Sequence, residues 1–284
     1  MRASATIDNR LPGRLDERRL PARRIELELE RRLDRLDDVE IRQFDLALGS
    51  NAIIEMRQVR MRNSADNQVQ RNTDFAGKHL FPAMERAGAG PMGFFSSVIA
   101  ADGPYMLAIF SYPSLSAMEV VYRKLRADKE FQKGLAAHNS LPGLNFVRME
   151  GSLLHAFDSI PNIEVPPQDG KRPPRIFELR TYESNNGRTL RRKVKMFNEA
   201  EIAIFRRCGI LPVFFGETVI GRNMPNLTYM VAFDDLAARE RAWRSFGGDP
   251  EWKKLRAMPG YTDAEIVSNI SNAILRPLPF SPIR

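Results

Sequence analysis

Arg175-Ile176-Phe177-Glu178-Leu179-Arg180-Thr181-Tyr182 follows a proline-rich segment and reads as a β-strand, rich in β-branched and aromatic residues. An earlier stretch, Ile53-Ile54-Glu55-Met56-Arg57-Gln58-Val59, has the same plan, with Glu and Arg two residues apart in an otherwise apolar run. Strand side chains alternate between faces, so each Glu shares a face with its Arg. Ile176, Glu178, Arg180 and Tyr182 lie on one side, and Phe177, Leu179 and Thr181 on the other. In the earlier stretch Glu55 and Arg57 oppose Ile54 and Met56. The expectation is that the Phe/Leu and Ile/Met faces meet helices and that the Glu/Arg/Tyr faces are left open.

The chain around each strand follows one order. After the first strand, residues 70–87 read as a helix with Phe75, Leu80 and Met84 as apolar anchors, a defect at Pro82, and stop signals at Gly88, Gly90 and Pro91. Strands over 92–100 and 105–112 flank the turn Asp102-Gly103-Pro104. Ser114 starts a second helix with Leu115, Met118, Val121, Tyr122 and Leu125 on one face, Asp128 caps a further turn, and residues 144–157 read as the closing strand. After the strand at Arg175 the order recurs: helix 188–208, strands from Leu211 to Ile220 and from Leu227 to Phe233, helices opened by Asp235 and by Asp249-Pro250, and a last strand over 263–275.

The recurrence extends to residues. Gly90-Pro91 with Phe94-Phe95 matches Leu211-Pro212 with Phe214-Phe215; Ser114-Leu115 matches Asp235-Leu236; and Asp128-Lys129-Glu130-Phe131 matches Asp249-Pro250-Glu251-Trp252, at a nearly constant offset. The order β-α-β-β-α-β is ferredoxin-like. The fold expected is therefore α+β, two tandem ferredoxin-like repeats over 49–158 and 175–284, whose open sheet faces pack together as a pseudo-dimeric α+β barrel within one chain. Residues 159–174 hold Pro161, Pro166, Pro167, Pro173 and Pro174 and read as an extended linker. Residues 1–48, dense in arginine and acids, read as a charged helix or a disordered segment. They lack the apolar run of a secretory signal.

The stretch 176–182, the Leu-Pro and aromatic strand at 211–215, Ala232-Phe233-Asp234-Asp235-Leu236-Ala237-Ala238-Arg239-Glu240-Arg241-Ala242-Trp243 and Asp249-Pro250-Glu251-Trp252 together resemble the NIPSNAP family, a branch of the dimeric α+β barrel superfamily. Residues 174–277 carry the resemblance well. The first repeat carries it loosely: Gln58-Val59 stand in place of Thr181-Tyr182, and Tyr122 and Phe131 stand near the places of Trp243 and Trp252. The resemblance implies a barrel and no defined reaction. Members are mostly of undetermined biochemistry, and the wider superfamily includes cofactor-independent monooxygenases and haem-binding enzymes.

Composition narrows the function classes. With 43% hydrophobic and 27% charged residues, a globular chain without membrane helices is expected. The net charge of +8 is spread along the chain. Its one cluster, Arg188, Arg191, Arg192, Lys193 and Lys195, reads as a solvated helix face, and no nucleic-acid motif accompanies it. The single cysteine, Cys208, cannot form an intrachain disulfide and fits a reducing, cytoplasmic compartment.

The candidate ligand-binding residues are Glu55, Arg57, Glu178, Arg180 and Tyr182, expected to line the barrel interior, together with His155 in the last strand of the first repeat. Ion pairing that holds two sheets in register is the plainer reading of the Glu–Arg pairs. His79, His138 and His155 have no metal-ligand spacing, so no metal and no cofactor is expected. Trp243 and Trp252 read as core. The partners expected are a small molecule and further copies of the chain, not nucleic acid. The functions open to such a chain are ligand binding or a scaffold role in the barrel, a cofactor-independent oxygenase-like or isomerase-like activity in its cavity, or docking of partners through residues 1–48. A lined cavity with an unpaired polar group separates binding or chemistry from a collapsed, fully ion-paired scaffold.

Overall fold

A computed structural model describes residues 50–168, 170 and 172–284, all within the larger of two compact units, Ala47–Arg284. The expectations for residues 1–48 lie outside the described residues. Eight antiparallel strands form one closed barrel: β1 (Ile53–Arg60), β2 (Met92–Ile99), β3 (Tyr105–Tyr112), β4 (Arg148–Ala156), β5 (Ile176–Glu183), β6 (Leu211–Ile220), β7 (Asn226–Phe233) and β8 (Asn269–Pro277). Around the barrel they run β1-β3-β2-β8-β5-β7-β6-β4. Closure within one chain depends on two seams between the halves, β2 against β8 and β4 against β6, each carrying a β-bulge. Gly216 lets β6 approach β4 at the second seam, because a Cβ there would sit 2.8 Å from the Leu154 side chain and 3.1 Å from the His155 carbonyl oxygen.

Helices cover the outside of the barrel. The first half contributes α1 (Gln68–Phe75), α2 (Phe81–Ala87), α3 (Leu115–Ala127) and α4 (Lys129–Asn139). The second contributes α5 (Gly187–Met196), α6 (Ile202–Arg207), α7 (Leu236–Gly248), α8 (Pro250–Arg256) and the short α9 (Asp263–Ile266). Each of the two long helices expected from sequence is interrupted at the same place by a π-helical turn, Ala76–Leu80 in one half and Phe197–Glu201 in the other. Pro82 falls in the first turn after that interruption, where its missing N–H costs little. Ser114, Asp128, Asp235 and Asp249 cap α3, α4, α7 and α8 through their side chains. The closing strands differ from expectation in extent: 140–147 is a loop before β4, and α9 occupies the start of the stretch read as the last strand.

Which sheet face points inward reverses the sequence-based expectation. Phe177 on β5 lies 4.8 Å from Phe95 of the other half, the rings tilted by 58°, and it shares the barrel core with Ile54, Leu154, Phe214, Met230 and Leu275. Ile176 and Tyr182 pack instead against helix residues Leu190, Met196, Phe197 and Trp252. Glu55, Arg57, Glu178 and Arg180 likewise face the helices. An eight-stranded barrel has room at its waist only for side chains. At the level of Glu178 the inward neighbours are apolar, so a carboxylate there would lack a counter-charge. The helix layer supplies the partners. The proline-rich stretch read as a linker contacts the barrel: Ile163 joins its core, and the Glu164 N–H donates to the Val213 carbonyl at 2.8 Å.

Candidate ligand site at the barrel mouth

Inward-facing residues change character along the barrel axis. On β1 they run Ile54, Met56, Gln58; on β5, Phe177, Leu179, Thr181; on β8, Leu275, Ala273, Ser271. On β4 and β7 the same end is reached through Ser152 and Glu150 and through Thr228 and Asn226. One end is therefore a dry plug, closed by Ile163 and Ile283. The other is a polar-walled cavity of about 260 Å³. Its floor is Met56, Leu107, Leu179 and Ala273.

Part of the polar wall is committed to the protein. Thr181 and Thr228 share a hydrogen bond of 2.9 Å. The Thr218 hydroxyl donates to Asn226 Oδ1 at 2.6 Å, and the Asn226 amide donates to the carbonyls of Arg222 and Asn223, which shapes the β6–β7 turn. Asn223 adopts φ 57°, which Asn tolerates better than most residues. At the rim, Arg222 and Arg148 both pair with Glu150, at 2.5 and 3.1 Å, and Arg60 pairs with Asp102 at 3.1 Å.

The rest of the wall is uncommitted. The side chains of Gln58, Tyr105, Ser152 and Ser271 line the cavity and, among the described residues, hydrogen-bond to no protein group. Tyr105 is the telling case: it is only 4% exposed, and its backbone N–H bonds to Ser97 Oγ at 3.0 Å while its phenol bonds to no described residue. Burial, with the charge of Asp102 behind it, pushes its phenol up to about 12. Sequence reasoning missed all four. Their signal was the drift from apolar to hydroxyl and amide residues along the Phe177 parity.

The residues singled out from sequence gather into two clusters between sheet and helices. Glu178 is fully buried and receives Arg180 at 2.8 Å, both guanidinium arms of Arg239 at 2.8 Å, Trp243 Nε1 at 2.8 Å and Asn272 at 3.1 Å. Burial alone would raise its carboxyl. The Arg239 and Trp243 hydrogen bonds and the charges of Arg180 and Arg239 outweigh it and hold the group below the ordinary range. Tyr182 accepts from Arg180 at 3.3 Å and from the Tyr229 hydroxyl at 3.1 Å. In the first half Glu55 accepts from Arg57, Tyr112 and Tyr122 at 2.6, 2.9 and 2.6 Å. A third buried pair was not foreseen. Lys193 donates to Glu201 at 3.1 Å within the rings of Tyr182, Phe197 and Trp252, and burial raises the Glu201 carboxyl. The sequence placed Lys193 in a solvated basic stretch, but the capped start of α5 turns it inward, where it is 1% exposed.

His155 sits on the outward face of β4 opposite Glu217 across the β4–β6 seam, away from the cavity. Among the described residues no group of His, Cys, Asp or Glu is arranged to hold a metal ion. Nor, among them, is any helix long and apolar enough to cross a membrane.

Residues 177–282 match the model of the NIPSNAP family. The second half of the chain carries a NIPSNAP domain. The barrel is similar to that of a candidate monooxygenase from Lactobacillus acidophilus NCFM (TM-score 0.54, 12% identity, 79% of this chain and 93% of that one). It is also similar to a candidate monooxygenase from Fusobacterium nucleatum (TM-score 0.51, 10% identity, 81% and 93%). An uncharacterized NIPSNAP-like domain protein from Burkholderia xenovorans matches at 25% identity over 38% of this chain and 89% of its own, with a TM-score of 0.34. No curated protein matches the chain in sequence. At these identities the two barrel matches speak to fold alone: a closed α+β barrel.

Proposed function

We propose that this NIPSNAP-domain chain is a small-molecule-binding protein whose site is the barrel-mouth cavity. The observation that carries the reading is Tyr105, a residue 4% exposed whose hydroxyl has no partner among the described residues and which lines a cavity with three other unpaired polar side chains. Polar side chains that leave solvent are normally satisfied. The unpaired phenol of a residue 4% exposed, beside the half-buried Gln58 and Ser152 and the exposed Ser271 on one cavity wall, matches a ligand site better than a collapsed scaffold. Binding is favoured over catalysis by the lining's ionisable groups: Glu150, Asp102 and Arg222 are engaged at the rim, and the Tyr105 phenol is too weak an acid to serve as a base near neutrality.

Two ferredoxin-like repeats, 49–158 and 175–284 joined by 159–174, build the container in this reading. Its support is the shared element order, the shared strand order within each half, the paired π-helical turns and the two Glu–Arg pairs. Glu55, Arg57, Glu178, Arg180 and Tyr182 then anchor helices to the barrel and do not touch the ligand. The chain closes its barrel alone, so the site needs no second copy, and the lone cysteine suits work in the cytoplasm.

Native mass spectrometry of the freshly purified chain tests the reading against Ala273→Phe, which places a ring in the cavity from its floor. A small-molecule adduct on the wild type that is absent from the variant is the expected result. An adduct held equally by both would place the ligand elsewhere.

A further inference from the structure

We infer that the cavity selects neutral molecules with an apolar body and a single amide- or hydroxyl-type head, and rejects ions of either sign. The inference rests on the cavity being the binding site and adds the ligand's chemistry to that reading.

Past the rim, no side chain of the wall carries a formal charge among the described residues. Every charged group on the lining belongs to a rim ion pair: Arg222 with Glu150, and Asp102 with Arg60. A carboxylate or ammonium drawn inside would lose water and find no free counter-charge, which is costly in a confined site. To recruit one it would have to compete with a rim pair, for Arg222 against Glu150 (which Arg148 also holds) or for Asp102 against Arg60.

What the wall does offer is neutral. Gln58 presents a donor and an acceptor side by side, the complement of an amide or lactam edge. Tyr105 adds a hydroxyl that stays protonated until a pH of about 12, so it donates under ordinary conditions. Ser152 and Ser271 can act as either partner. Opposite these groups lies the apolar floor of Met56, Leu107, Leu179 and Ala273. A molecule fits when its apolar part rests on that floor and its head meets Gln58 and Tyr105. A site built to hydrogen-bond a head group also discriminates against analogues without it, because its own polar groups are then left unpaired.

Benzamide, benzoate and benzylammonium form a matched set of nearly equal size that differs in head charge. Binding is measured by protein-observed NMR on wild-type protein and on Gln58→Leu, Tyr105→Phe and Ala273→Phe. The first two replace side chains that bond to no protein group, so the fold is retained. Expected is benzamide binding at the cavity, about ten-fold weaker for each of Gln58→Leu and Tyr105→Phe, with the two ions at least about ten-fold weaker than benzamide on wild type. If benzoate or benzylammonium binds as tightly as benzamide, and Ala273→Phe abolishes it, the site stands and the neutral selectivity is overturned. If no member of the set shows binding that Ala273→Phe removes, the cavity reading falls together with the inference.

Discussion

Replacing Glu178 with glutamine removes one charge and almost no volume from the most heavily bonded carboxylate in the second half. Five hydrogen bonds converge on it, three of them from Arg180 and Arg239. The amide oxygen can still accept from Trp243 or Asn272. It cannot neutralise two guanidinium groups whose side chains are only 16% and 24% exposed, and its NH₂ must point at one of them. Removing one partner of such a buried network costs about 3–5 kcal/mol. For a unit of this size that corresponds to a fall in Tm of roughly 6–20 °C. The control is Glu240→Gln, which breaks only an exposed i,i+4 pair with Arg244 and should stay within about 0.5 kcal/mol. The assay is differential scanning calorimetry, repeated as pH falls. The native carboxyl lies below its ordinary 4.5, so its stabilisation is complete above that value and is lost as pH drops through the lower folded value. The gap between wild type and Glu178→Gln should narrow over that window. A loss under about 1 kcal/mol at neutral pH, or a gap that does not change with acid, would refute the claim that this network ties α7 to the barrel.

Lys193→Met strands the Glu201 carboxylate, 1% exposed, and should cost about 3–5 kcal/mol near neutrality, whereas Lys193→Met with Glu201→Leu should recover most of that loss in urea denaturation. The single-variant penalty should shrink toward acid pH: burial raises the Glu201 carboxyl, so its contribution is present below 4.5 and is lost as pH rises through the raised folded value. Gly216→Val should weaken the β4–β6 seam and raise amide exchange in both strands, because its Cβ meets Leu154 and the His155 carbonyl. Asp249, held at about 2 by bonds from Arg207 and the start of α8, should lose its stabilising effect as pH falls from 3.8 toward that value, visible as an acid-limb difference between wild type and Asp249→Asn.

The repeated strand at 53–59 and 176–182, the caps at Asp128 and Asp249 and the Gly/Pro stops were legible in the sequence because each is a local signal. So was the two-face alternation of Glu178 and Phe177. Which face turned inward was not legible, since both faces are buried and hydrophobicity alone ranks the Glu/Arg face as the solvated one. The deciding partners, Arg239 and Trp243 for Glu178 and Tyr122 for Glu55, lie more than sixty residues away in sequence. The π-helical turns left no mark either, because no residue type in Phe197–Glu201 or Ala76–Leu80 signals the residue that such a turn adds. The cavity residues escaped for a related reason: Gln58, Tyr105, Ser152 and Ser271 sit on four different strands and become neighbours only when the barrel closes.

A high-resolution crystal structure of the wild-type chain tests the cavity most directly. The account predicts a bound small molecule, or ordered water in its place, hydrogen-bonded to Tyr105 Oη and the Gln58 amide at the open end of the barrel. An interior closed on itself, with Tyr105 and Gln58 bonded to protein groups and no space between them, would contradict it.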